Sequence, residues 1–171
     1  MRAMPAILKQ QPAAKLVIVG DGPMRKKLTE LASALQIEAS VIFTGAIPWQ
    51  EVNKYYQMGD LFISASTSET QGLTLSEAIA SKTPVVAIAD SSIESILIDG
   101  KTGFVYQTEN ELANVVINAL SDEVHLKRIA VAAFEKSQSL SVANFGNHVL
   151  NVYRELVTAK PSHKKAKSYE L

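Results

Sequence analysis

Cysteine is absent from all 171 residues. That excludes disulfides and thiolate metal sites, and it fits a reducing, cytoplasmic setting. Long apolar runs are missing as well: the stretch Pro84-Val85-Val86-Ala87-Ile88-Ala89 falls far short of the ~20 residues a membrane span needs. Neither sign of charge is in excess, because 17 basic residues face 17 acidic ones, and this removes the electrostatic case for binding nucleic acid. The N-terminus shows no basic and apolar leader followed by a small-residue cleavage site. His125, His148 and His163 lie far apart with no acidic partner at a ligand spacing, so no metal site is expected. No G-x-S-x-G elbow, Walker loop or H-E-x-x-H run is present.

What is present is a hydrophobic content of 47%, enough for one folded domain with a real core. Short β-branched segments at 15–20, 40–44, 61–65 and 84–89 each precede a helix-like stretch, and a fifth strand is expected at 103–106. Helices are expected at 24–36, 50–58, 72–81, 92–97, 109–120, 124–136 and 142–158. That alternation predicts βαβ units and an α/β fold, a Rossmann-like three-layer domain with a parallel sheet covered on both faces. The domain is expected to span 1–158, with 159–171 a polar, basic, disordered tail. Trp49, Tyr55, Tyr56 and Phe62 read as core and helix packing.

The most informative run is Ser66-Thr67-Ser68-Glu69-Thr70-Gln71-Gly72-Leu73-Thr74-Leu75-Ser76-Glu77. It places Glu69 in a strand-to-helix loop and Glu77 inside the following helix, roughly one and a half turns from its start at ~1.5 Å per residue. Between the two carboxylates, the first N–H groups of the helix near Gly72 and Leu73 lack intrahelical partners and suit a phosphate or a sugar hydroxyl. A glycine there lets a ligand approach the backbone. Taken singly, each glutamate also fits a bland role, Glu77 as a solvated helix residue and Glu69 as a first-turn carboxylate aided by the helix dipole.

Gly20-Asp21-Gly22-Pro23 follows a strand and opens a helix. The third glycine of a dinucleotide fingerprint is replaced by Arg25, which argues against NAD. A phosphate-facing loop and a plain tight turn with Pro23 at the first helical position both remain open for this run. Arg25, Lys26 and Lys27 read as a solvated helix face. Since ligands of open parallel sheets bind at the carboxyl ends of strands, this loop and the segment 69–72 are expected to line one crevice.

Five blocks in order, Leu16 to Pro23, Val41 to Gly45, Ala65 to Ala80, Thr83 to Ala87 and Asp99 to Gly103, resemble the C-terminal, donor-binding half of retaining glycosyltransferases of the GT-B fold, family 4. The resemblance covers about residues 1–158. It implies that Glu69 faces the transferred sugar as the catalytic carboxylate and that Glu77 binds the nucleotide ribose. By the same resemblance Thr70, Gln71, Gly72 and Leu73 meet the sugar and diphosphate, Thr44 and Gly45 lie near the base, and Gly20 and Gly22 belong to the donor pocket. The implied donor is a nucleotide sugar, UDP-glucose, used without a metal or other cofactor.

The variant Ser-Ala-Ser-Thr-Ser-Glu-Thr-Gln-Gly-Leu-Thr, with Tyr55-Tyr56-Gln57 upstream, looks like the Gram-positive branch that glucosylates diacylglycerol. This implies a peripheral place on the inner face of the membrane for the full-length protein. The sequence also departs from the family. Gln71, Lys82 and Ser91-Ser92 replace a common aromatic, a glycine and a glycine pair. The family's opening strand ending in Gly-Arg, a lysine shortly after it, and an N-terminal acceptor domain have no counterpart here, so the chain reads as a piece of a larger enzyme that is inactive alone. A non-catalytic nucleotide-sugar-binding module and a GT-B nucleotide-sugar epimerase are the alternative readings.

Overall fold

A computed structural model describes residues 1–67 and 72–158. The chain divides between Ser137 and Gln138 into two compact units. In the first, α1 (Met4–Gln10) starts with Pro5 near its N-terminus, where the fixed φ costs nothing, and buries Met4 and Ile7. Then follow β1 (Leu16–Val19), α2 (Arg25–Ala34), β2 (Val41–Gly45), α3 (Val52–Met58), β3 (Phe62–Ser64), α4 (Leu73–Ala80), β4 (Val85–Ile88), β5 (Phe104–Tyr106), α5 (Glu109–Ser121) and α6 (Glu123–Ser137).

The five strands among the described residues pair in parallel. β1 lies beside β2, with Leu16 opposite Val41, and β4 lies between β3 and β5, with Val86 flanked by Ile63 and Phe104. The single sheet expected from the sequence is thus divided into two hydrogen-bonded sheets, since β1 and β3 are not paired with each other. A shared core joins them: Val86 and Tyr106 of the larger sheet pack in one cluster with Met4, Ile7, Ala32 and Ile37, and Leu16 and Val41 of the smaller sheet border it. A parallel strand joined to its neighbour through a helix leaves both faces covered, which is why Val85, Val86 and Ala87 form a continuous apolar run.

α4 is the helix that fills the second cluster. Leu75, Ala78 and Ile79 recur at helical spacing and pack with Val85, Ala87, Ile93, Leu97 and Ala133. Burying each large aliphatic there stabilises the fold by about 1.5–3 kcal/mol. The opposite side of the helix carries Thr74 and Glu77, both exposed.

Further expectations are corrected by the structure. Residues 92–97 form successive turns instead of a helix: Asp90 caps the Ser92 N–H at 2.9 Å, and the Thr102 hydroxyl accepts from Ile98 N–H and donates to the Ile96 carbonyl. These side-chain bonds compete with a helical ladder that is too short to sustain itself. The helix expected at 50–58 begins as a 3-10 turn, Trp49–Glu51, after Pro48. Trp49 is not core; it is 81% exposed.

The second unit holds the 3-10 turn Gln138–Leu140 and α7 (Val142–Thr158). Ser141 opens α7, its Oγ accepting from the Asn144 N–H at 3.3 Å. Val142, Phe145, Val149, Val152 and Leu156 share one exposed face of α7. Among the described residues no helix is long and apolar enough to cross a membrane. The expected tail at 159–171 lies outside the described residues.

Because Ile79 is fully buried where α4 meets the larger sheet, Ile79→Ala is expected to lower the unfolding free energy by about 2–5 kcal/mol through lost burial and a cavity. Urea denaturation followed by circular dichroism measures this, and a loss below ~1 kcal/mol would show that the α4 packing is not tight.

Candidate functional site

The strand-to-helix corner at β3 and α4 is built from the core outward. Ser64 ends β3 in a buried position, and its carbonyl accepts the Tyr106 hydroxyl at 3.2 Å, tying β3 across the sheet to β5. Gly72 starts α4 in the left-handed region, φ 58° and ψ 37°. Only glycine enters that region without steric cost, which explains a glycine at this point of the sequence. Its carbonyl accepts the Ser76 N–H at 2.9 Å, closing the first turn.

Among the described residues no side chain caps this helix start, and no acidic residue sits in its first turn. With no partner among the described residues, the N–H groups of Leu73 and Thr74 carry a positive partial charge that suits an anion or a sugar hydroxyl. Glu69, Thr70 and Gln71 lie outside the described residues.

Glu77 stands one turn further along α4, and it is not simply solvated. The Tyr56 hydroxyl of α3 donates to Glu77 Oε2 at 2.9 Å. Tyr56 is itself held at two points: its backbone carbonyl accepts the hydroxyl of buried Thr83 at 2.7 Å, and its ring meets Phe62 edge-on at 5.2 Å. Burial first, and then the bond to Glu77 and that residue's negative charge, push the Tyr56 hydroxyl well above the ordinary tyrosine range. It stays a donor across the physiological range.

A second set of residues gathers at the ends of β1 and β2. Gly20, at φ 111°, donates its N–H to the Gly45 carbonyl at 3.1 Å and lies 3.3 Å from Thr44 Oγ1, so Gly20, Thr44 and Gly45 form one knot. The Gly22 N–H is held by Asp21 Oδ1 at 2.9 Å. Beside them opens a cleft of about 280 Å³ lined by Gly20, Gly22, Arg25, Leu28 and Phe43 among others. Arg25, expected on a solvated face, turns into this cleft with its guanidinium 5.4 Å from the centre of the Phe43 ring. Its ion pair with Asp21 spans 4.0 Å and is half-exposed, so it contributes about 0–1 kcal/mol. Of the two readings left open for this run, Pro23 at the first helical position does not hold, since α2 begins at Arg25 with Met24 as its cap.

The structure brings Gly20, Gly22, Thr44 and Gly45 together in this way, and Gly72, Leu73 and Glu77 together on α4. Gly72, Leu73 and Glu77 do not line the cleft at Gly20. Sequence reasoning placed Tyr56 and Arg25 among packing and solvated residues. The signal for Tyr56 was that a tyrosine packed among apolar groups needs a partner for its hydroxyl. Among the described residues, no group of three or more His, Asp or Glu side chains is placed to hold a metal ion.

Parallel sheets covered by helices, with glycine turns at the strand ends, put the chain among Rossmann-like α/β domains, and its structural neighbours are GT-B glycosyltransferases. The sequence pattern of the glycosyl transferases group 1 family matches residues 1–136, and the chain belongs to that family. The alpha-monoglucosyldiacylglycerol synthase of Streptococcus pneumoniae (strain ATCC BAA-255 / R6) is 40% identical over 151 residues, which are 88% of this chain and 34% of that protein. The protein of the same name from Acholeplasma laidlawii is 34% identical over 110 residues, 64% of this chain and 28% of its own length. The chain thus spans about a third of the length of these curated relatives.

Among solved structures, the C-terminal domain of a glycosyl transferase group 1 family protein from Francisella tularensis superposes with a TM-score of 0.72 at 25% identity, covering 80% of this chain and 74% of that one. Anabaena HepE in complex with UDP-glucose superposes with a TM-score of 0.75 at 23% identity, covering 91% of this chain and 45% of that one, which shows a shared fold.

The raised Tyr56 value has a consequence for stability. A group whose folded value is raised contributes stability that is present below its unfolded value, about 10 for tyrosine, and lost as pH rises toward the folded value. The wild-type chain is therefore expected to lose stability relative to Tyr56→Phe as pH climbs above about 10. Urea denaturation of both proteins at pH 8 and pH 11 measures the difference, and parallel curves would show an unshifted hydroxyl.

Proposed function

We propose that this chain is the donor-binding half of a retaining, family 4 glycosyltransferase that transfers glucose from UDP-glucose to a diacylglycerol acceptor. The observation that carries this reading is the 40% identity, across 88% of the chain, to a protein named alpha-monoglucosyldiacylglycerol synthase. The UDP-glucose held by the fold-neighbour HepE supports the donor.

In this reading the uncapped start of α4 receives the diphosphate. The Leu73 and Thr74 N–H groups meet the negative charge that grows as the bond from sugar C1 to the diphosphate oxygen breaks. The acceptor hydroxyl oxygen forms the new bond at C1 and its proton passes to the departing diphosphate oxygen, so that UDP is the leaving group. Glu69, with Thr70 and Gln71 beside it, faces the sugar, and Glu77 accepts from the ribose hydroxyls. Gly20, Gly22, Thr44 and Gly45 border the nucleotide. Fixed backbone dipoles supply the charge stabilisation, so the reaction is read as metal-independent. The residues 1–158 form the nucleotide-sugar-binding domain, and an N-terminal acceptor domain completes the cleft.

The topology supports the reading that one strand of the donor domain lies outside this chain. Among the described residues β1 pairs with β2 alone and β3 with β4 alone, so β1 and β3 each keep an unpaired parallel edge of the kind that buried α/β sheets fill. A lipid acceptor places the complete protein peripherally on the cytoplasmic face of a membrane.

A carboxylate beside C1 is most useful in the transition state, where positive charge on the sugar is greatest. In the complete protein carrying this chain, Glu69→Gln is expected to lower turnover by about 10²-fold or more while donor affinity changes little. Labelled glucose transferred from UDP-glucose to diacylglycerol gives turnover, and near-normal turnover in the variant would contradict the role of Glu69.

A further inference from the structure

A glutamate on the exposed side of a helix samples many rotamers and loses that freedom when a ligand fixes it. Glu77 is exposed on α4, yet its carboxylate is already held by the Tyr56 hydroxyl at 2.9 Å. The donor of that bond is rigid. The Tyr56 backbone is pinned by Thr83 at 2.7 Å, its ring stands edge-on to Phe62 at 5.2 Å, and its apolar edge packs against the cluster of Leu75, Ala78 and Ile79. The hydroxyl therefore arrives at the α4 surface from the core side, in a fixed place.

The bond engages Oε2 and leaves Oε1 with no partner among the described residues. A carboxylate held by one oxygen, with its other lone pairs open, is set to accept from two neighbouring hydroxyls such as those of a vicinal diol.

We propose that Tyr56 is a positioning residue for donor binding, orienting the Glu77 carboxylate toward the ribose hydroxyls of the nucleotide before the nucleotide arrives. This rests on the reading of Glu77 as the ribose contact. Preorganisation of this kind acts on affinity, because the cost of ordering the side chain is met during folding and not during binding. The role runs through Glu77 alone, so it vanishes when either the carboxylate or the diol is removed.

The test is calorimetric titration of the complete protein carrying this chain with UDP and with 2′,3′-dideoxyuridine diphosphate, for wild type, Tyr56→Phe, Glu77→Ala and the double variant. Tyr56→Phe keeps the ring against Phe62, and thermal melts by circular dichroism check that each variant is folded. Tyr56→Phe is expected to weaken UDP binding about 3- to 10-fold, the worth of one hydrogen bond, and to leave binding of the dideoxy nucleotide unchanged. In the Glu77→Ala background the same substitution is expected to add nothing.

An equal loss for both nucleotides would overturn the proposal by showing that Tyr56 only supports the fold. Wild-type UDP affinity in Tyr56→Phe would overturn it too, and would leave the proposed function standing. A complete wild-type protein that does not bind UDP at all would remove the proposed function and this role together.

Discussion

Parallel pairing is the constraint on which the rest of this chain depends. Parallel neighbours cannot be joined by a hairpin, so each pair β1–β2, β3–β4 and β4–β5 requires a connection that climbs back along the sheet. The return path brings the carboxyl ends of the strands of each sheet to one edge, and the loops leaving that edge carry the glycine turns at Gly20, Gly45 and Gly72. Ligands of open α/β sheets bind along that edge because the turns there are free of the sheet ladder and the helices that follow present their N-termini to it.

The same helix that seals the core sets the chemistry. α4 turns Leu75, Ala78 and Ile79 inward with almost no exposure, which fixes its rotation about its own axis. Once that rotation is fixed, Glu77 must emerge beside α3, and Tyr56 is the group it meets. Packing thus selects which face of α4 looks outward, and a buried ring decides how the carboxylate on that face is held. The left-handed Gly72 sets the direction in which α4 starts, and among the described residues no side chain bonds to the N–H groups there.

Much of this was legible in the sequence because it rests on local period and on glycine. The strands were found within a residue or two, since β-branched runs bounded by turn residues have few other solutions. The α4 boundaries followed from Gly72 and from the spacing of Leu75, Ala78 and Ile79. Residues 92–97 were misread because Thr102, several positions downstream, supplies the hydrogen bonds that replace a helical ladder. The division of the sheet between β1 and β3 is a matter of which edges meet in space, and no local pattern encodes it. Tyr56 was assigned to packing because its partner lies 21 residues away. The position of Arg25 over Phe43 depends on the pairing of β1 with β2 and was hidden for the same reason.

The central claim is that a nucleotide sugar binds at the carboxyl edge of the strands. The most direct measurement is the amide spectrum of the complete protein carrying this chain, isotopically labelled, during titration with UDP-glucose. Resonances of Gly20, Gly22, Gly45, Gly72 and Leu73 are expected to shift together and to saturate at one affinity. Those of Gly59, Lys82 and Lys101, at the opposite ends of the strands, are expected to stay in place. Shifts confined to that opposite edge, or a spectrum that UDP-glucose does not change, would contradict the claim.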